Sequence, residues 1–120
     1  MNVNLDSPAL LETKYMDVSG TVTLDCQNHL IVCFHVKAAG DVTFALSNVS
    51  QGAHILMMLS QDATGGHDYI FPANTEWAGK TKPAWNTSPN GKDNLTMGYD
   101  FSTDMWHEMS RGLNTGMTTT

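Results

Sequence analysis

Five histidines, nine aspartates, three glutamates and two cysteines are the side chains of this 120-residue sequence with the chemistry to bind a metal, move a proton or attack a carbonyl. Their spacing argues against all three. No C-x-x-C pair, H-E-x-x-H helix or EF-hand loop is present. His29 and His35 share a strand face but stand about 20 Å apart at the usual rise per residue, too far to share one ion. Asp100 and Asp104 flank a turn, where a cation at a subunit junction is one reading and an Asx-turn the favoured one. Nucleophilic catalysis finds no G-x-S-x-G elbow, and Cys33 lies mid-strand, where nothing stabilises a thiolate. The three glutamates, Glu12, Glu76 and Glu108, are hard to place as a glycosidase pair. The glycine-rich string QDATGGHDYIF lacks the lysine of a phosphate loop and precedes a strand, so it reads as a tight turn. No catalytic residue, metal ligand or cofactor is assigned, and an enzyme is not expected.

The elements that position these side chains follow from composition and period. One domain is expected from the length, with a core large enough to fold without disulfides. Six basic against twelve acidic residues give a net charge of −6, which excludes a nucleic-acid footprint and disfavours anionic membranes. No apolar run approaches a membrane span, and the first residues lack a signal peptide's pattern. Only 15% of residues are charged, and the abundance of Thr, Ser, Asn and Gly suits strands and turns.

Apolar residues alternate from Thr21 onward. Val22, Leu24 and Cys26 face one way, as do Leu30, Val32, Phe34 and Val36, and a three-residue loop would join the two runs as an antiparallel hairpin. In that register Cys26 and Cys33 point to opposite faces and stay free thiols. Val42, Phe44 and Leu46 mark a third strand, the run 53–61 a fully covered fourth, and HDYIFP a short fifth. Residues 73–92 show no period and form a long ordered loop anchored by Trp77 and Trp85. Alternation resumes at Leu95, Met97 and Tyr99, and a last strand covers MWHEMSRG, with Trp106 opposite Met105, His107 and Met109. An all-β antiparallel β-sandwich or jelly roll is predicted for residues 21–112. A short N-terminal arm, 1–20, precedes it, with one or two helical turns in ALLETKYM. A flexible tail, 113–120, follows.

Several pieces in order carry a resemblance: Gln61-Asp62-Ala63-Thr64-Gly65-Gly66, Phe71-Pro72, Trp77, Pro83, Asp93 with Leu95, and Tyr99-Asp100. Over residues 21–106 the chain resembles the β-sandwich domain of tailed-bacteriophage virion proteins, found in capsid decoration (cement) proteins and in tail-fibre or baseplate proteins. Phe101 departs from the small turn residue usual after the Tyr-Asp pair. The resemblance implies a non-enzymatic virion part that assembles as a homotrimer. The chain carries no shaft-building module, and it has an arm bearing Leu5, Leu10, Leu11, Tyr15 and Met16. On those grounds a capsid decoration protein is expected, a trimer on the head surface that docks on the major capsid protein through the arm. Trp77 and Trp85 are then loop anchors or subunit contacts. The alternative is a tail-fibre or baseplate adhesion module whose loop tryptophans stack on host glycan. A cellular carbohydrate-binding module or small hydrolase is more remote.

Overall fold

Leu10–Asp25 (β1) and Ile31–Ser47 (β2) are single long strands that run parallel, with Leu11 beside Val32, Phe34 beside Thr13 and Val22 beside Phe44. The structure, a computed structural model, describes residues 10–115. His54–Gln61 (β3) lies parallel to the first half of β2, and Tyr69–Ile70 (β4) parallel to its second half. Thr75–Glu76 (β5) precedes a 3-10 turn at Ala78–Lys80. Lys92–Asp100 (β6) runs antiparallel to β3, and Met105–Thr115 (β7) antiparallel to β6 and parallel to β5. The sheet order is β1-β2-β3-β6-β7-β5, with β4 on β2. The protein is therefore all-β, built on one mixed sheet in place of the expected antiparallel sandwich.

Alternation dictates which side chains face inward, and here it was legible except at Leu30, which precedes β2 and is 58% exposed instead of facing the core. Val32, Phe34, Val36, Ala38, Val42 and Phe44 are buried along β2, and Ile55, Met57 and Leu59 along β3. Matching registers stack these into rows across the sheet, such as Thr13, Phe34, Met57 and Leu95. Such rows remove apolar area from water on neighbouring strands at once.

The expected hairpin between β1 and β2 does not form, because the corner after Asp25 redirects the chain instead of reversing it. Gln27 and Asn28 both take left-handed backbone conformations, and the Asp25 carboxylate accepts bonds from Gln27 N and Asn48 Nδ2, each 2.9 Å. The next corner stacks on this one: Cys26 N donates to Ser47 O (2.9 Å), Asn28 N to Asn48 O (2.8 Å) and Ser50 Oγ to Asn28 O (2.7 Å). Corners that stack force successive windings to run parallel. Within each winding the chain bends without leaving the sheet: β1 bulges between Tyr15 and Gly20, and β2 passes Gly40, where a Cβ would lie 2.8 Å from the Ser19 Cβ.

Three further expectations change. ALLETKYM is strand from Leu10 onward, not helix, because Leu11 and Tyr15 pack inward beside Val32 and Val36. A boundary at residue 20 falls inside β1, and one at 112 inside β7. The run 53–61 is covered on one side only, with Met58 38% exposed. Cys26 and Cys33 are both free and buried.

Candidate ligand-binding groove

The long connection from β4 to β6 has no regular period, and aromatic packing replaces backbone pairing in holding it. Phe71 stacks on Trp85 at 5.6 Å and meets Trp77 edge-on at 5.2 Å, and Tyr69 meets Trp85 edge-on at 5.5 Å. Phe44, from β2, ties this cluster to the core through Phe71 at 5.1 Å. Pairs of this kind add about 0.5–1.5 kcal/mol each beyond burial. Both tryptophans remain half-buried.

Polar clamps fix the loop's path. Gln61, 1% exposed, donates through Nε2 to His67 O (2.8 Å) and Tyr69 Oη (3.1 Å), while its Oε1 accepts from His67 N (2.9 Å). Burial pushes the Tyr69 phenol up to about 12, so it stays protonated. Asp62 Oδ1 accepts from Thr64 N and Gly65 N, both 3.0 Å, and lies 2.9 Å from His67 Nε2. Gly65 has φ 72°, and a Cβ there would lie 2.6 Å from Thr87 O, so the QDATGG turn admits no side chain at this point. Asp93, buried on β6, accepts from Asn86 N (2.8 Å).

The strongest clamp is Glu108, whose side chain is fully buried on β7. Its carboxylate accepts from Ala78 N (2.8 Å) and Arg111 Nε (2.6 Å) and pairs closely with Arg111 Nη2. That guanidinium also donates to Thr81 O (2.8 Å). One buried ion pair thus grips both ends of the 3-10 turn, setting Trp77 at its start.

An open groove of about 580 Å³ lies beside this turn, lined chiefly by Thr75, Glu76, Trp77, Lys80, His107 and Glu108. The parallel contact of β5 with β7 places Glu76 beside His107, whose Nδ1 is 2.7 Å from Glu76 Oε2. His107 Nε2 stands 3.7 Å from Asp100 Oδ2. The Asp100 carboxyl is held below its ordinary range, first by the Ser102 hydroxyl, then by Thr103. Thr75 Oγ1 is buried with no hydrogen-bond partner among the described residues. The groove therefore offers an aromatic surface, an acid, an imidazole and a lysine. This combination suits a hydroxylated ligand with one apolar face.

Of the residues singled out from sequence, Trp77 lines the groove and Trp85 stands behind it, ring centres 6.2 Å apart. Asp100 and Asp104 turn to local bonds: Asp100 Oδ1 accepts from Ser102 N (3.0 Å), and Asp104 Oδ1 from Tyr99 Oη (2.5 Å). Leu10 and Met16 are exposed on one side of β1, Leu11 and Tyr15 half-buried on the other, all of them in the first half of that strand. Leu5 lies outside the described residues. Glu76, Lys80, His107 and Arg111 were not anticipated. Their one signal was Glu108, a charge in an inward slot two residues after Trp106, with the chain's single arginine close behind. Among the described residues, no group of three or more His, Cys, Asp or Glu is placed to hold a metal. Burial raises both thiols, Cys26 to about 11, which removes them as nucleophiles near neutral pH.

The polar groups described here hold a loop and its groove in an all-β domain, an arrangement consistent with a structural protein. Residues 15–100 match a family model described as "Putative phage tail fibre C-terminal domain", and the chain belongs to that family. It is thus a phage structural domain, with virion association to match. A comparison with curated proteins and one with solved structures each returned no match.

Proposed function

We propose that this domain is a host-recognition module of a phage tail fibre, and that it holds a surface glycan against Trp77. The family favours the tail over the head, and so favours adhesion over the capsid-decoration role expected from sequence. The observation that carries the reading is the half-buried Trp77 ring, fixed by the Glu108–Arg111 clamp beside Glu76, Lys80 and His107. A pyranose stacks its C–H face on such a ring while its hydroxyls reach the acid and the imidazole.

The test is binding of the purified chain to an array of bacterial surface polysaccharides, followed by titration of any hit. Trp77→Ala should weaken binding at least roughly tenfold, as for a central aromatic anchor, without unfolding the chain. Binding that is indifferent to Trp77, or cosedimentation with bare capsids in place of glycan binding, would overturn the proposal.

A further inference from the structure

The chain has six lysines and arginines against twelve acids, yet three of the six gather on the face of the sheet away from the core, at one end of it. Register brings them together. Lys37 on β2, Ser60 on β3 and Lys92 on β6 form one row across three adjacent strands. In the next row of that face Lys14 on β1 stands beside His35, and His35 beside Met58. Val36 and Leu59, which alternate with these residues, point into the core. The exposed acids here are confined to the β1 side: Glu12 lies 3.8 Å from His35 Nε2, and Asp17, at the β1 bulge, 3.7 Å from Lys37 Nζ. β3 contributes no acid. Lys14 forms no ion pair among the described residues. Like charges on neighbouring strands repel, and a bound anion offsets that cost.

The face is concave among these lysines, where a groove of about 310 Å³ is lined by Lys14, Met16, Met58, Ser60 and Lys92 among others. Met16 and Met58, 54% and 38% exposed, supply its apolar surface. Ser60 Oγ donates its hydrogen to Val36 O (3.3 Å) and keeps its lone pairs for a donor. Asp93 borders the groove as well, but it is 2% exposed and accepts from Asn86 N. We propose that this groove is a second binding site, which takes the carboxylate of an acidic sugar between Lys14 and Lys92 and a C–H face of that sugar on Met16 and Met58. The positive excess is small, with Glu12, Asp17 and Asp93 close by, so it matches a singly charged carboxylate and not a phosphomonoester, whose charge approaches about −2. Nucleic acids and anionic membranes present many charges at once, which a chain of net charge −6 repels. An acidic polysaccharide spaces its charges along the chain, one to a sugar at most. The choice of a glycan rests on the reading of the Trp77 groove; the anion site itself does not.

The test is titration of the full chain with a trimer of galacturonic acid and, separately, with its uncharged methyl ester. The acid should bind about tenfold more tightly than the ester, and added salt should remove the difference. Lys14→Gln should weaken binding of the acid about threefold, and Lys14→Gln combined with Lys92→Gln about tenfold, with little change for the ester. Lys82→Gln removes the same charge from an exposed loop position and should change nothing. Trp77→Ala should also leave the preference for acid over ester in place, which separates this site from the other groove. Equal binding of acid and ester, or no binding of the acid, overturns the proposal. So does a loss with Lys82→Gln as large as with Lys14→Gln, which would mean that net charge alone is read. A preference for the acid that survives the double variant and vanishes with Trp77→Ala overturns it too, and moves the carboxylate to the Trp77 groove.

Discussion

The windings of β1, β2 and β3 and the loop-bearing half, from Gln61 at the end of β3 to Thr115, solve the same problem by different means. In the windings, rows of apolar side chains are spread over many positions, and no single polar contact is essential. In the loop-bearing half, a handful of groups hold a stretch with little strand pairing: Gln61, Asp62, Asp93 and the Glu108–Arg111 pair. Distributed burial gives a scaffold that tolerates change at its surface. Concentrated clamps give a loop whose outer side is free to carry a groove, at the cost of a few irreplaceable residues.

The sharpest way to break this contrast is in the scaffold. Phe34 is fully buried between Thr13 and Met57 and meets Tyr15 edge-on at 5.8 Å. Phe34→Ala should cost about 3–5 kcal/mol and lower the melting temperature of the whole chain in one transition. Separate melting of the two halves would show that they are not one cooperative unit.

Next in size is the clamp. Arg111→Ala leaves the Glu108 carboxylate buried without its cation, and should cost roughly 3 kcal/mol, the lower end for a buried pair because Arg111 is itself a quarter exposed. Unlike Phe34→Ala, its effect should concentrate on the loop. Hydrogen exchange at Ala78 and Thr81 should rise far more than at Val36 or Leu59. Uniform exchange across the chain would mean that the pair supports the core and not the loop.

These two residues also mark what a sequence reading can reach. Phe34 was legible because period-2 alternation records which side chains turn inward, whatever their partner strand. The partner's direction was not legible, because parallel and antiparallel neighbours demand the same alternation. What decided it was the backbone of Gln27 and Asn28 and the bonds between corners. Trp77 was singled out from sequence as a loop anchor or subunit contact, and it packs against Phe71 and Trp85. Its groove was not, because Glu76 and His107 meet only through a parallel contact of two residues, between segments 31 positions apart. Nothing local in Thr75-Glu76 announces a strand.

A smaller effect separates turn geometry from side-chain clamping. Gly65→Ala forces a side chain into a left-handed conformation and against the backbone at Thr87. It should cost about 2 kcal/mol. The loss should appear in the loop half first, read as faster proteolysis near residues 86–90. Unchanged proteolysis would show that this turn does not govern the loop's position.

The smallest expected effect is on pH, and it again distinguishes the halves. The Asp62 carboxyl is held below the ordinary 3.8 by the Gly65 N–H first, and further by His67 and the Thr64 N–H, against an opposing effect of burial. A carboxyl whose folded value is depressed binds its proton more readily in the unfolded chain. Its contribution is therefore complete above the unfolded value, and it is lost as pH falls from about 5 through the folded value. Asp25 and Asp100 are depressed too, Asp25 chiefly by its bond from Asn48. The chain should thus lose stability progressively in acid. Asp62→Asn, which has no such proton to bind, should start lower at neutral pH and lose less between about pH 5 and about pH 3. Melting temperatures at several pH values for both chains would decide it. Parallel curves would place the acid sensitivity in the corners at Asp25 and Asp100 and leave the QDATGG turn outside it.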